Sequence, residues 1–201
     1  TQSISRILTH PTDPNVAWVA ANGHLFGANP ERGVYKTTDR GSSWEKVLYV
    51  DENTGATDLI IDPSNPDVLF AATYQRRRTA CCFVGGGPGS GIWHSSNGGN
   101  DWSRVEGNGL PKGTMGRIAL ATSQANPNVI YAQIEVAQDK EESLSSDEAS
   151  EYQRLAQEDA LPPDPEHNGI WRSTDKGSTW EFRSNENGRP MYFSQIRVDP
   201  M

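Results

Sequence analysis

Apolar residues come in short runs of strand length, each bounded by Pro, Gly, Asn or Asp. Residues 4–8, 59–61 and 118–121 form one set of runs. Each is followed by a turn phrase: Asp13-Pro14-Asn15-Val16, Asn65-Pro66-Asp67-Val68 and Asn126-Pro127-Asn128-Val129. A second apolar run follows each turn: Ala17-Trp18-Val19-Ala20, Leu69-Phe70-Ala71-Ala72 and Ile130-Tyr131-Ala132-Gln133. Pro and Asn pre-set the turn, and the runs on either side read as paired strands.

A third set of runs precedes a different phrase. Gly33-Val34-Tyr35-Lys36, Gly91-Ile92-Trp93-His94 and Gly169-Ile170-Trp171-Arg172 each lead into a corner. The corners read Thr37-Thr38-Asp39-Arg40-Gly41-Ser42-Ser43-Trp44, Ser95-Ser96-Asn97-Gly98-Gly99-Asn100-Asp101-Trp102 and Ser173-Thr174-Asp175-Lys176-Gly177-Ser178-Thr179-Trp180. Asp39, Asn97 and Asp175 are short acceptors able to bond nearby backbone N–H groups. Gly41, Gly99 and Gly177 supply a position where a side chain would clash. Trp44, Trp102 and Trp180 start the next strand and bury a ring close to the turn.

One unit is therefore four strands, A to D, and the prolines Pro14, Pro66 and Pro127 recur at spacings of 52 and 61 residues. Four short antiparallel strands per repeat of this length predict β-propeller blades. The expectation is an all-β propeller segment, with blades at about 4–48, 57–106 and 116–183. An extra strand is expected at 193–198, repeating strand A. Three blades do not close a ring. The chain then either belongs to a longer protein or completes its ring with further copies, and self-association is expected.

The corner phrases resemble Asp-box (BNR) repeats, and their surroundings resemble the sortilin-like and glycosyl-hydrolase-like BNR propellers of bacterial secreted proteins. The resemblance covers the chain apart from 136–167. It implies the propeller fold and a secreted or periplasmic setting. It leaves function open, because sialidases, xyloglucanases, sortilin-type receptors and photosystem assembly factors all carry such boxes. The second copy departs from the pattern, with Asn97 for Asp and Asp101 for the usual Ser or Thr.

Charge changes the picture at one place. The formal net charge is −8, and residues 138–166 hold ten acidic and two basic side chains, so the remainder sums to zero. Without a basic face, nucleic acid is disfavoured as a partner. No apolar run approaches membrane-spanning length. Ser145 and Glu148 fit a capping box, Ala149, Tyr152, Leu155 and Ala156 recur at helical spacing, and Pro162-Pro163 ends the pattern. A helical insertion at 136–167 in the third blade is predicted, lying on the rim.

The corners lie at the C–D turns, so the chemistry is expected on the opposite face. That face comprises residues 22–32, 49–57, 74–90, 106–116, 135–168 and 184–194. Candidate ligand-binding residues are His24, Arg32, Asp51, Glu52, Arg76, Arg77 and Arg78. Three consecutive arginines alternate direction in an extended chain. They suit a carboxylate or phosphate, or pairing with Asp51, Glu52, Asp58 or Glu31. The glycines between 85 and 91 lack the Gly-Lys-Ser/Thr of a phosphate loop, and residues 51–55 lack the later ligands of a calcium loop. Cys81 and Cys82 are adjacent and read as loop or core thiols, because neighbouring cysteines bond in a strained geometry. No cofactor or metal is expected.

A glycosidase needs two carboxyl groups flanking the bond. Asp51, Glu52 and Glu31 lie on the correct face, but nothing in their spacing pairs them. The expected function is a non-enzymatic scaffold binding a protein or carbohydrate ligand, with a glycoside hydrolase as the alternative.

Overall fold

The computed structural model describes residues 2–137, 164–187 and 195–199. Strands β1 (Ile4–Thr9), β2 (Ala17–Ala21), β3 (Gly33–Thr37) and β4 (Glu45–Leu48) form one antiparallel sheet in sequence order. The second sheet contains β5 (Thr54–Asp62), β6 (Asn65–Arg78), β7 (Phe83–Gly85), β8 (Gly91–Ser95) and β9 (Ser103–Val105). Its order is β5-β6-β8-β9, with β7 pairing only the far end of β6. Strands β10 (Met115–Thr122), β11 (Ile130–Val136), β12 (Gly169–Ser173) and β13 (Glu181–Ser184) make the third. The fold is an all-β propeller segment. Strict alternation of burial along β11 follows from its pleat, with Ile130, Ala132, Ile134 and Val136 facing the core.

The two repeated phrases fold as one unit. Before each proline, Asp13, Asn65 and Asn126 accept the N–H two residues on, at 2.9, 3.2 and 3.2 Å. This exposes the carbonyls of Asn15, Asp67 and Asn128, which accept the N–H groups of Arg40, Gly98 and Lys176 in the corners, at 3.0, 2.8 and 3.0 Å. The chain reaches those carbonyls by turning left-handed twice, at Arg40 and Gly41 (φ 61° and 86°) and again at Lys176 and Gly177 (φ 56° and 82°). A Cβ on Gly177 would meet Phe70 at 2.8 Å, and one on Gly99 would meet Trp18 at 2.7 Å. Glycine there serves both the turn and the close approach of the preceding blade.

Side chains then close the corner. Asp39 Oδ1 accepts the Ser43 N–H at 2.8 Å and its Oδ2 accepts the Ser43 hydroxyl at 2.6 Å. Asp175 and Thr179 repeat both bonds at the same distances. In the second copy Asn97 Nδ2 instead donates to Asp101 Oδ2 at 2.8 Å, while Asn97 Oδ1 still accepts the Asp101 N–H. The two departures from the pattern are thus one exchange: donor and acceptor have changed sides.

Between blades, Trp18 donates to Gly98 O at 3.1 Å. Asp58 joins all three sheets near the innermost strands. Its Oδ1 accepts from Arg6 Nε of β1 at 2.7 Å, and its Oδ2 accepts the Leu120 N–H of β10 at 2.9 Å. Trp18, Val34, Leu59 and Leu69 pack between the first two sheets, and Phe70, Ile92, Leu120 and Trp180 between the second and third.

Some expectations fall outside the described residues, and others need correction. No helix occurs among the described residues; the predicted helical insertion lies mostly at 138–163, outside them, while Val136 still belongs to β11. The extra strand expected at 193–198 has residues 193–194 outside the described set, and residues 195–199 belong to no strand. A strand exists by pairing, and no ladder partner for this segment appears among the described residues. Residues 74–90, expected to be a loop, extend β6 into a hairpin with β7, pairing Arg76 with Gly85 and Arg78 with Phe83. At its tip Cys81 and Cys82 form a disulfide and are not free thiols.

Candidate functional site

The face opposite the corners is built from unrepeated segments. Residues 22–32, between β2 and β3, wrap around Arg32, whose side chain is fully buried. Arg32 Nη2 donates to the carbonyls of His24 and Gly27 at 3.2 and 3.4 Å. Asn29 shapes the loop, accepting the Glu31 N–H at 2.8 Å and donating its own N–H to Glu52 O at 2.8 Å. The loop also touches the hairpin, through a bridge between Phe26 and Arg78.

The turn before β5 is closed by Asp51, whose Oδ1 accepts the Asn53 N–H at 2.7 Å. Asn53 in turn receives Arg77, from Nε at 3.3 Å and Nη2 at 3.2 Å, and its carbonyl accepts the Arg76 N–H at 3.0 Å. Of the predicted residues, His24 and Glu52 thus contribute carbonyls, Asp51 holds a turn, and Arg77 braces the hairpin from its outer side. Asp58 is engaged by Arg6, not by the arginine run.

Arg76 and Arg78 point the other way, as two-residue alternation requires. They line a cleft of about 250 Å³ with Asn22, Leu25, Thr57, Tyr74, Phe83 and Arg117. The cleft draws on all three sheets: the loop after β2, strands β5 and β6 with β7, and β10. Sequence reading missed Arg117 and Asn22 as candidates. Arg117 was legible in principle, as a lone cation heading the apolar run 118–121.

The titratable groups of this face shift one another's pKa values. Burial lowers the pKa of Arg76; Tyr74 opposes this, while Arg117 and Arg78 lower it further. Burial also lowers the pKa of Arg32, helped by Arg76 and opposed by Asp51. Glu135 Oε2 accepts the Arg117 N–H at 2.7 Å; burial raises its pKa, against the pull of Arg117. Tyr74 is raised by burial and then by Glu135.

Among the described residues, buried polar atoms without a partner concentrate here: Asn22 Oδ1, Asn29 Nδ2, Arg32 Nε and Nη1, Thr54 Oγ1, Tyr74 OH and Arg76 Nε. Native proteins pair nearly all such groups. Donors left over around clustered guanidinium groups equip the face to receive acceptor-rich molecules. No group of metal-ligating side chains occurs among the described residues. In four clefts formed by described residues, at most one carboxylate is present.

No family model matches the chain. It is 28% identical over 192 residues to the xyloglucanase Xgh74A of Acetivibrio thermocellus, a match covering 89% of this chain and 19% of that protein. The chain thus spans about a fifth of the length of the curated relatives it matches. Among solved structures it resembles the GH74 xyloglucanase of Xanthomonas campestris, with TM-score 0.56 and 13% identity over 89% of this chain and 21% of that one. It also resembles the Niastella koreensis GH74 enzyme, with TM-score 0.56 and 14% identity over 91% of this chain and 22% of that one. At these identities the structural likeness establishes the propeller fold alone. The named relatives overturn the expectation of a non-enzymatic scaffold and favour the glycoside-hydrolase alternative. A loop face assembled from a few scattered charges gives no sequence pattern for an enzyme, so the expectation rested on absence of a motif.

Proposed function

We propose that this chain is a propeller segment of a glycoside hydrolase of the GH74 type, and that its loop face forms part of the cleft for a β-glucan such as xyloglucan. The observation that carries this is the alignment with Xgh74A, which runs along 89% of the chain and not through an isolated corner phrase. Glycosidic cleavage needs two carboxyl groups, about 5 or 6.5–9.5 Å apart, and the described clefts offer no such pair. The described residues therefore supply substrate-holding surface and at most one of the two acids, with the rest contributed from elsewhere in the protein. Asp51, Glu52 and Glu31 remain the candidates on this face.

A neighbouring blade also accounts for the outer face of the first sheet. Ile7 is 65% exposed there, beside Ile4 and Trp44 in an open groove. In the second and third sheets the matching face is covered by the preceding blade. The test is direct. The full protein is incubated with xyloglucan, and new reducing ends and oligosaccharide products are measured. Release of oligosaccharides is the expected result; absence of both cleavage and binding would overturn the reading.

A further inference from the structure

The cleft among the three sheets is chemically unlike a site for a neutral glucan alone. Three guanidinium groups converge on it from two blades, Arg76 and Arg78 from β6 and Arg117 from β10. The carboxylate beside them, Glu135, spends one oxygen on the Arg117 backbone. Arg117 already has an interaction of its own, whereas Arg76 and Arg78 repel each other across a half-buried space, and a bound carboxylate would offset that repulsion. The buried Arg76 Nε and Tyr74 OH have no partner among the described residues. Across from them Phe83 and Leu25 form an apolar wall, with the Arg78 guanidinium 5.8 Å from the centre of the Phe83 ring.

We infer that this cleft is a subsite for a carboxylate-bearing sugar, a uronate unit of the glycan. A guanidinium fork matches the two oxygens of a carboxylate, and the apolar wall suits the C–H face of a pyranose ring. At about 250 Å³ the space lies below the roughly 300–1,000 Å³ of sites for drug-sized ligands, so it admits one sugar unit, not an oligosaccharide. The inference rests on the carbohydrate reading above and adds a charge requirement that a xyloglucan backbone does not meet.

The test is calorimetric titration of the full protein with glucuronate, glucose, glucose 6-phosphate and a neutral xyloglucan oligosaccharide, at low and high salt. Glucuronate binds at least tenfold more tightly than glucose, and high salt weakens it. Arg78→Gln, exposed and therefore neutral for folding, loses about tenfold in glucuronate affinity. Arg77→Gln, on the other side of the hairpin, leaves it unchanged. Equal affinity for glucose and glucuronate, or glucuronate binding indifferent to Arg78→Gln, overturns the inference. Binding of glucose 6-phosphate in place of glucuronate overturns the carboxylate assignment. Binding of the xyloglucan oligosaccharide with no response to glucuronate overturns this inference and leaves the glycoside-hydrolase proposal standing. Glucuronate binding with neither cleavage nor binding of xyloglucan does the reverse.

Discussion

The two faces of this molecule handle polar groups in opposite ways. On the corner face the same hydrogen bonds recur in each sheet, and even the exchanged pair Asn97 and Asp101 preserves them. On the loop face no segment repeats, and Arg32, Arg76, Tyr74 and Asn22 keep buried atoms without partners. A fully paired turn adds stability. An unpaired buried donor costs about 1–3 kcal/mol, a cost that an ordered water or a bound ligand offsets. The comparison divides the chain into a face that builds the propeller and a face on which we place the ligand.

The largest effect expected lies in the corners, and it depends on the neighbouring blade. Trp180 is 5% exposed, packs with Phe70 and donates to Gly177 O at 3.1 Å. Trp44 holds the equivalent place in the first sheet, where no described blade precedes it, and is 43% exposed. Trp180→Ala is expected to lower stability by about 3–5 kcal/mol, and Trp44→Ala by about 1 kcal/mol or less. Urea unfolding monitored by far-ultraviolet circular dichroism measures both. Equal losses would mean that Trp44 is covered in the protein as it exists, which would sharpen the proposal that a further blade sits there.

Asp58 comes next, because it belongs to neither face and ties the sheets together. Asp58→Ala strands the Leu120 N–H and leaves Arg6 without its partner. Removing one member of a buried pair costs about 3 kcal/mol. The same unfolding measurement applies, with Asp58→Asn losing less because an acceptor remains. A loss below about 1 kcal/mol would show that the sheets hold together without this junction.

The corners were legible in the sequence because each requirement there has its own residue type. A left-handed turn needs Gly177, a capping acceptor needs Asp175, and a covering ring needs Trp180, so the phrase recurs whenever the structure does. The loop face was legible only in part. Alternation along an extended chain separates Arg77 from Arg76 and Arg78, but no sequence rule brings Arg117, some forty residues later, to meet them. That meeting depends on the packing of β10 beside β5, which is a tertiary fact. The hairpin was missed for a related reason: the Gly-rich run around residue 86 reads as a loop, although Gly86 and Gly87 donate to Gln75 O and Met115 O.

Acid separates the faces more gently. Hydrogen bonds from Ser43 and Thr37 hold Asp39 at about 2, and those from Thr179 and Ser173 hold Asp175 at about 2, against an ordinary 3.8. Both folded-state values lie below the unfolded one, so their contribution is present above pH 3.8 and lost as pH falls toward 2. The melting temperature is expected to drop through that window. Replacing both by Asn, the residue the second corner already uses, keeps an acceptor and should flatten the drop. An unchanged profile in the double variant would assign acid sensitivity to carboxylates elsewhere.

The smallest effect expected is the most informative about the loop face. Arg32 is fully buried, yet donates only to the carbonyls of His24 and Gly27, with Nε and Nη1 unpaired. Burial depresses its pKa, and Arg76 adds to this. Arg32→Met removes a desolvated charge while keeping an unbranched side chain of similar reach. Apolar replacement of a poorly compensated buried charge is often neutral or stabilising, so stability should change by less than about 1 kcal/mol. Two carbonyls lose their donor, which sets the cost. The relief of repulsion toward Arg76 sets the gain. If Arg32→Met instead destabilises as much as Trp180→Ala, Arg32 is a structural keystone of its loop, and the division between the two faces fails at its most buried cation. If stability holds and glycan affinity falls, Arg32 is kept for the ligand, acting on the cleft through Arg76.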